Sequence, residues 1–432
     1  MIAELLLLTH LTALVHAQQL VVSASAPLDE PTSIRAVGLP QGARVSIRVS
    51  VTDDDGIQWR SQASYRADSL GEVDISRHVP FASSHAMGAG EGLFTLMTPS
   101  DSTGPPRRFA RRSLEPVRTS ISLIDSTGAV KDSALVERYF VAMGTRVRDV
   151  NANGIRGRLF IPPPRPRAVP GLLVLGGSEG GYSDHVAALL ANRGFAALSL
   201  AYFGVDSLPT QLAEIPLEYF TKALTWLAAQ PEVSREALGV VGTSKGAEAA
   251  LIVASRTPLV RAVVAYAPSA VAWSCICANR SLPSWTAAGT PIPSVPFAAD
   301  PSYAPAPGEP SRPGVNFAYR LRTAPSQAFI PVERIAGPIL LIAGEDDQLW
   351  PSAAMARDVL ARRRTRGGHP NDSLLLFAGA GHLIGKVYLP AGSTLIAGGR
   401  LETGGTAAGN ARAQGEAWRE VVRFLSEALR MP

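Results

Sequence analysis

Six nearly continuous apolar runs, separated by segments with a helical pattern, constrain the fold of this chain more than any other feature. They are "GLLVLGG" (171–177), "AALSLAY" (196–202), "LGVVG" (238–242), "RAVVAYA" (261–267), "GPILLIAG" (337–344) and "DSLLLFAG" (372–379). Strands buried on both faces of a parallel sheet have this composition. One intervening segment, "PLEYFTKALTWLAAQ", places Leu217, Phe220, Leu224 and Leu227 on one helical face. The alternation predicts a doubly wound, mostly parallel α/β domain over residues 146–432.

The sequence before residue 146 has a different pattern of apolar and polar residues. "RVSIRVSV" alternates apolar and polar side chains, as a half-buried strand does, and "DDDGIQW" is typical of a turn between two strands. Similar short runs continue to about residue 145, which predicts an all-β sandwich over residues 18–145. With 432 residues the chain is also too long for one ordinary core, which favours two domains.

The first 17 residues, "MIAELLLLTHLTALVHA", resemble a secretory leader. Their apolar stretch is too short to span a bilayer, and it ends in the small-residue pattern Val15-His16-Ala17. We therefore expect cleavage before Gln18 and export, with an uncleaved segment on a cytoplasmic protein as the alternative. No later stretch is long and apolar enough for a transmembrane helix.

Composition excludes some functions. The formal net charge is +5, with no basic block interleaved with aromatic residues, so nucleic acid is not an expected partner. The only cysteines, Cys275 and Cys277, are interpreted as two incidental thiols rather than a metal or redox site, because residues two apart rarely form an unstrained disulfide. The sequence implies no cofactor, and it does not indicate the oligomeric state.

A proline-rich segment, 273–331, interrupts the strand–helix rhythm. Long irregular segments inside compact domains often serve as lids or mobile loops. Because this one follows a core strand, it could cover the edge of the sheet where the strands end. A lid and a passive insertion are equally compatible with the sequence.

The sequence Gly242-Thr243-Ser244-Lys245-Gly246 has the pattern G-x-S-x-G between an apolar strand and a helix. This context is typical of a nucleophile held on a sharp turn. The Lys245 N–H would lie at the helix N-terminus, where it can stabilise an oxyanion. A tight strand–helix turn with an incidental serine is the alternative.

A serine nucleophile needs a base, and the expected chain order is serine, acid, histidine. "LLIAGEDDQLWP" offers Asp346 and Asp347 after a strand, and the spacing from Gly344 favours Asp347. "LLLFAGAGHLIG" offers His382 in a glycine-rich loop after the next strand. The sequence therefore predicts Ser244, Asp347 and His382 as a catalytic triad.

The second oxyanion donor should come from the loop "LGGSEGGYSD" (175–184), where the backbone N–H of Ser178 or Gly177 is the best candidate. A plain glycine-rich turn is the alternative. A phosphate-binding loop is less favoured, because neither the dinucleotide-binding pattern G-x-G-x-x-G nor a Walker lysine is present.

Long stretches of both regions resemble the acyl-CoA thioesterase and bile acid-CoA:amino acid N-acyltransferase family. The stretches that carry the resemblance include "DEPTSIRAVGLPQGARVSIRVSVTDDDGIQWRSQASYRADSLGEVDISR", "MGAGEGLFTLMTP", "GIRGRLFIPP", "LAYFGVDSLPTQLAEIPLEYFTKALTWLAAQPEV", "VVGTSKGAEAAL", "IPVERIAGPILLIAGEDDQLWPS" and "GAGHLI". The resemblance implies an N-terminal immunoglobulin-like sandwich and a C-terminal α/β-hydrolase. It implies a serine nucleophile for thioesterases and a cysteine for amino-acid transferases, so Ser244 favours hydrolysis. The family's acid and base fall on Asp347 and His382.

Together these features predict a serine acyl hydrolase, specifically a thioester hydrolase that acts on acyl-CoA or a similar acyl thioester through an acyl-enzyme. The first alternative is an exported carboxylesterase or an acyl-CoA:amino acid N-acyltransferase with the same triad. The second is a non-catalytic binding protein that uses the sandwich as an adhesive module.

Overall fold

The structure of the protein is a computed structural model that describes residues 17–84, 92–101, 103, 106–277, 279, 281–385 and 388–430. The predicted leader, apart from Ala17, lies outside the described residues. Within the described ranges, no helix has the length and apolar composition needed to cross a membrane.

The described part of the N-terminal region consists of strands and one short helix. Its strands are β1 Gln19–Val22, β2 Ser25–Pro27, β3 Ile34–Val37, β4 Arg44–Thr52, β5 Gln58–Arg66, β6 Val73–Asp74, β7 Ala82–Ser83, β8 Thr98–Pro99, β9 Val117–Asp125 and β10 Val130–Tyr139, and its helix is α1 Gly92–Thr95. The larger sheet has the order β2-β10-β9-β4-β5-β7, with β8 also on β5, and the smaller one has the order β1-β3-β6. Every second residue of β4 is buried, as its alternating sequence predicts.

The C-terminal region alternates strands and helices. Its strands are β11 Arg146–Ala152, β12 Ile155–Ile161, β13 Val169–Leu175, β14 Ala196–Ala201, β15 Ile215–Pro216, β16 Val233–Thr243, β17 Ala262–Tyr266, β18 Trp285–Ala287, β19 Thr290–Pro291, β20 Ile339–Gly344, β21 Ser373–Phe377, β22 Leu395–Ile396 and β23 Leu401–Glu402. Its helices are α2 Asp184–Asn192, α3 Leu217–Ala228, α4 Lys245–Ala254, α5 Pro313–Leu321, α6 Ser352–Arg364 and α7 Ala407–Ala428, with 3₁₀ turns at Ser326–Ala328 and Val332–Arg334.

The main sheet has the order β11-β12-β14-β13-β16-β17-β20-β21. From β14 to β21 neighbouring strands are parallel, and β12 is antiparallel to both of its neighbours. Residues on one face of β13 pack with α2 and α7, and those on the other face pack with α3, α4 and α6. The predicted doubly wound, mostly parallel α/β sheet is therefore confirmed.

The core on the α2 and α7 face continues into the N-terminal region as a single apolar cluster. Polar contacts reinforce this junction. The buried Asp29 Oδ2 accepts hydrogen bonds from Arg193 Nε at 2.7 Å and from Trp418 Nε1 at 2.9 Å. The two regions thus share one interior.

The proline-rich segment contains regular structure where the sequence indicates none. β18 pairs with β15 and β19, and Trp273 and Trp285 are among the largest fully buried side chains. Helix α5 lies half-buried farther along. The first part of the segment therefore forms a wall that packs against the body of the domain through its buried tryptophans.

One expectation about this segment was wrong. The structure joins Cys275 and Cys277 in a disulfide, where we expected two separate thiols. A local turn brings their Cα atoms to 5.3 Å, within the usual range for disulfides.

Candidate active site

Ser244 occupies a sharp turn between the end of β16 and the start of α4. Its backbone has φ 56° and ψ −120°, a conformation that residues with a side chain rarely adopt. The Ser244 N–H donates to the Tyr266 carbonyl oxygen at 2.8 Å, which ties the turn to the next strand. Gly242 and Gly246 allow close packing, because a Cβ at Gly246 would collide with the Gly176 carbonyl and one at Gly242 with the Gly246 carbonyl.

His382 follows β21 and reaches the serine. Its Nε2 lies 3.0 Å from Ser244 Oγ, and its Nδ1 lies 2.9 Å from Asp347 Oδ2. The backbone N–H of His382 donates to the Thr403 carbonyl oxygen at 2.9 Å, and the rings of His382 and Trp350 pack edge to face with their centroids 5.7 Å apart. The backbone bond anchors the loop, and Asp347 and Trp350 contact the ring itself.

Asp347 follows β20, and every oxygen of its carboxylate is engaged. Oδ1 accepts from the N–H groups of Leu349 at 2.9 Å and Trp350 at 3.2 Å, while Oδ2 accepts from Ser352 Oγ at 2.6 Å in addition to the histidine. These hydrogen bonds hold the carboxylate in place, where it can orient an imidazole and stabilise its cation. The neighbouring Asp346 turns away from His382.

The two oxygens of Asp346 have other partners. Oδ1 accepts from Gln348 Nε2 at 2.7 Å, and Oδ2 accepts from the Gly405 N–H at 3.0 Å. Gly405 lies between the acid loop and the histidine loop: Gly404 forms a β-bridge with Asp347, and Gly405 forms one with Ala380. Asp346 therefore helps to join these two loops.

The candidate oxyanion donors belong to two different elements next to Ser244. Lys245 is the first residue of α4 and follows the serine directly. Across the site, a Cβ built on Gly177 would stand 3.3 Å from Ser244 Cβ, so this backbone is close to the nucleophile. Gly177 is buried and Ser178 is exposed, and both remain candidates.

Tyr202 holds the glycine-rich loop through its carbonyl oxygens. Its hydroxyl, fully buried at the end of β14, donates to the Gly176 carbonyl oxygen at 2.6 Å and lies 3.3 Å from that of Gly177. Burial raises the pKa of Tyr202 well above its usual range, so the phenol stays a neutral donor at physiological pH.

The N-terminal region contributes a charge to the rim of the site. Arg108 lies near the exposed Glu179, whose Oε2 would be 2.7 Å from a Cβ on Gly177. Burial lowers the pKa of the Arg108 guanidinium, and the Glu179 carboxylate opposes that shift.

Several residues that support the active site were not predicted from the sequence. Ser352 had a weak signal, a serine at the start of a helix just after the acid loop. Nothing in the sequence pairs Tyr202 or Thr403 with the site. Within the described part of the chain, no three His, Cys, Asp or Glu side chains are grouped to hold a metal ion.

Family comparisons cover both regions. The profile described as "BAAT / Acyl-CoA thioester hydrolase C terminal" matches residues 215–431, and the one described as "Acyl-CoA thioester hydrolase/BAAT N-terminal region" matches residues 29–152. These matches fall on the α/β region and on the β region, respectively.

Characterised relatives match along nearly the whole chain. Acyl-coenzyme A amino acid N-acyltransferase 1 of Mus musculus is 32% identical, over 94% of this chain and 96% of its own length. Acyl-coenzyme A thioesterase 1 is 31% identical in Mus musculus, over 93% of this chain and 94% of the relative, and 30% identical in Homo sapiens with the same coverage. A puromycin-hydrolysing peptidase of Mycobacterium tuberculosis has a similar structure, with a TM-score of 0.45, 13% identity and coverage of 89% of this chain and 54% of the peptidase, a similarity too weak to add to the assignment. With both regions matched by family profiles and the relatives aligned from end to end, the chain belongs to the acyl-CoA thioester hydrolase and bile acid-CoA:amino acid N-acyltransferase family.

Proposed function

We propose that this protein is a serine thioester hydrolase that cleaves acyl-CoA. The observation that carries the proposal is the hydrogen-bonded chain Ser244 Oγ, His382 Nε2, His382 Nδ1 and Asp347 Oδ2, with contacts of 3.0 and 2.9 Å, at a serine held on a strained turn. Family membership supplies the substrate class, since several relatives are named acyl-coenzyme A thioesterases.

The first half of the reaction makes an acyl-enzyme. Ser244 Oγ bonds to the thioester carbonyl carbon as its proton passes to His382 Nε2, and the carbonyl π electrons move onto oxygen. The N–H of Lys245 and that of Gly177 or Ser178 stabilise this oxyanion. The C–S bond then breaks, and the CoA sulfur leaves with the proton from His382.

The second half consumes water. Water attacks the acyl ester while His382 takes one of its protons, the oxyanion forms again, and the C–O bond to Ser244 breaks as the proton returns to Oγ. The products are a carboxylic acid and the starting enzyme. Throughout, Asp347 orients the imidazole and stabilises its cationic form.

The test is the release of CoA thiol from acyl-CoA by the purified protein. Ser244→Ala and His382→Ala should each lower kcat by about 10⁴-fold or more while the circular dichroism spectrum is unchanged. Wild-type protein should also be labelled at Ser244 by a fluorophosphonate, which a non-catalytic binding protein would not be. Near wild-type turnover by Ser244→Ala would refute the nucleophile assignment.

A second candidate is transfer of the acyl group to an amino acid, because one relative is named an acyl-coenzyme A amino acid N-acyltransferase. The serine at position 244 favours hydrolysis under the family pattern. Adding glycine or taurine to the assay separates the two, since a transferase forms the N-acyl amino acid whereas a hydrolase forms the free acid. Simple esters in the same panel test for a carboxylesterase.

Two finer points belong to the same proposal. The antiparallel pairing of β4 with β5 and β9 supports the immunoglobulin-like sandwich that the resemblance implies. The pattern at residues 1–17 supports export after cleavage of a leader. N-terminal sequencing of the native protein should begin at Gln18, whereas an intact Met1 with all activity in the cytosol would refute export.

A further inference from the structure

A fully buried ion pair lies one residue beyond the nucleophile. Lys245 Nζ is 2.7 Å from Glu248 Oε1 and 2.8 Å from Oε2, and both side chains are 0% exposed. Burial lowers the pKa of the Lys245 ammonium and raises that of the Glu248 carboxyl, and their mutual contact opposes both shifts. The triad chemistry does not use either side chain.

The same carboxylate also holds the wall formed by the first part of the proline-rich segment. Glu248 Oε1 accepts from Trp285 Nε1 at 2.6 Å and from the Trp273 N–H at 3.1 Å. Lys245 Nζ lies 3.4 Å from the Trp273 carbonyl oxygen and 5.2 Å from the centre of the Trp285 ring. The helix that carries the nucleophile and the wall beside it therefore meet at one pair of charges.

Stability alone does not account for such a pair. Replacing a buried ion pair by apolar side chains of similar volume is often neutral or stabilising, because removing two charges from water is costly. The pair fixes geometry instead. Lys245 is the residue whose backbone N–H is a proposed oxyanion donor, and its own side chain is anchored at Glu248 and Trp273.

We propose that Lys245 and Glu248 are a positioning pair, which fixes the Lys245 N–H for the oxyanion and holds the Trp273–Trp285 wall against the same helix. The inference rests on the proposed function, in which Ser244 is the nucleophile. An N–H donor moved by a fraction of an ångström stabilises the oxyanion less well, so the pair acts on the rate of bond formation at Ser244 rather than on substrate binding.

The experiment compares Lys245→Met, Glu248→Gln and the double variant Lys245→Met/Glu248→Gln. Each single variant leaves one buried charge unpaired and should lower the melting temperature, whereas the double variant should recover most of that loss. The double variant should still have kcat about 10- to 100-fold below wild type with KM nearly unchanged. Its rate constant for fluorophosphonate labelling should fall by a similar factor, because phosphonylation builds the same negative oxygen.

The matched control is a buried ion pair elsewhere. Arg363 and Asp372 are 2% and 5% exposed, with Nε and Oδ2 2.8 Å apart. They lie near the N-terminal ends of β20 and β21, whereas Ser244 follows the C-terminal end of β16. Arg363→Met/Asp372→Asn should change the melting temperature without changing kcat or the labelling rate. A wild-type rate in the Lys245→Met/Glu248→Gln double variant, a change confined to KM, or an equal loss of rate in the control would overturn the proposal.

A milder variant covers the case in which the charge variants do not fold. Trp285→Phe keeps an aromatic ring and removes one donor to Glu248, and it should lower the labelling rate about 10-fold; an unchanged rate would overturn the proposal.

Labelling also separates this inference from the substrate assignment. If wild type is labelled at Ser244 but leaves acyl-CoA intact, the proposed substrate fails while the labelling rates still decide the role of the pair. If Ser244 is not labelled at all, both proposals fail.

Discussion

At the scale of single residues, Ser244 combines an unfavourable backbone with a central chemical position. A serine at φ 56° and ψ −120° is strained by about 1–3 kcal/mol, because its Cβ crowds the neighbouring peptide groups. The surrounding packing imposes this geometry through the hydrogen bond to Tyr266 and through the close approach of Gly246 to Gly176. In this imposed conformation the hydroxyl oxygen lies 3.0 Å from His382 Nε2.

This strain can be measured with two inactive variants. Ser244→Gly and Ser244→Ala both remove the hydroxyl, but only the alanine retains a Cβ in the strained conformation. We expect Ser244→Gly to be more stable than Ser244→Ala by about 1 kcal/mol in urea unfolding, since glycine adopts positive φ without a steric penalty. Equal stabilities would show that the turn is relaxed.

The two neighbouring aspartates should differ sharply. Asp347→Asn should lower kcat by about 10⁴-fold, because an amide neither holds the histidine in the correct tautomer nor stabilises its cation. Asp346→Asn keeps acceptor and donor groups of similar shape near Gly405 and should cost less than about 10-fold in kcat. Measured rates with equal losses, or with a larger loss at Asp346, would contradict the assignment of the acid.

At the scale of elements, the site depends on how closely α4 approaches the loop after β13. Gly246 lies in the first turn of α4, where a side chain would run into the Gly176 carbonyl. Tyr202 holds that same carbonyl from the other side with a hydrogen bond of 2.6 Å. The distance between Lys245 on α4 and the donor candidates of the loop is therefore set by a glycine and a tyrosine.

A helix normally gains up to about 1 kcal/mol when glycine is replaced by alanine. Gly246→Ala should instead lower the free energy of unfolding and kcat together, because the new methyl group pushes α4 away from Gly176. Ala249→Gly in the same helix is the control for ordinary helix propensity and should lower stability with little effect on kcat. A stabilised and fully active Gly246→Ala would show that the close approach is not required.

Local sequence patterns predict the helices and strands, but they do not predict which residues far apart in the sequence come into contact. The buried face of α3 contains Leu217, Phe220, Leu224 and Leu227, as its spacing predicts, because a helix fixes which residues share a face. The chain order of an α/β-hydrolase sufficed to select Ser244, Asp347 and His382 as candidates, and the structure brings them together. The roles of Tyr202, Ser352 and Trp285 depend on distances between segments far apart in sequence, which no local pattern encodes.

At the scale of the whole molecule, the two regions are parts of one folded unit. The apolar cluster behind the main sheet runs without a break from α7 into the strands of the N-terminal region. Asp29, whose side chain is 0% exposed, lies at this junction and binds both Arg193 and Trp418. We therefore expect the two regions to unfold together.

Trp418→Phe tests this coupling. The variant keeps an aromatic ring but removes the N–H donated to Asp29, and it should lower the free energy of unfolding by about 1–3 kcal/mol because the acceptor is a buried carboxylate. Trp226→Phe, on the half-buried face of α3, is the control and should change stability by less than about 0.5 kcal/mol. Urea unfolding should remain one transition in both, and a separate early transition of one region would contradict the shared interior.

The hydrogen bond between Asp29 and Trp418 also bears on how the protein is made. Its partners are 389 residues apart, so Asp29 leaves the ribosome long before Trp418 has been synthesised. At ordinary translation rates the carboxylate waits roughly 20 to 80 s for this donor. During that interval the apolar surface that α7 will cover faces solvent. Helix α7 is the last of the described elements to be synthesised, and a chain that stops before it leaves the apolar surface of both regions uncovered.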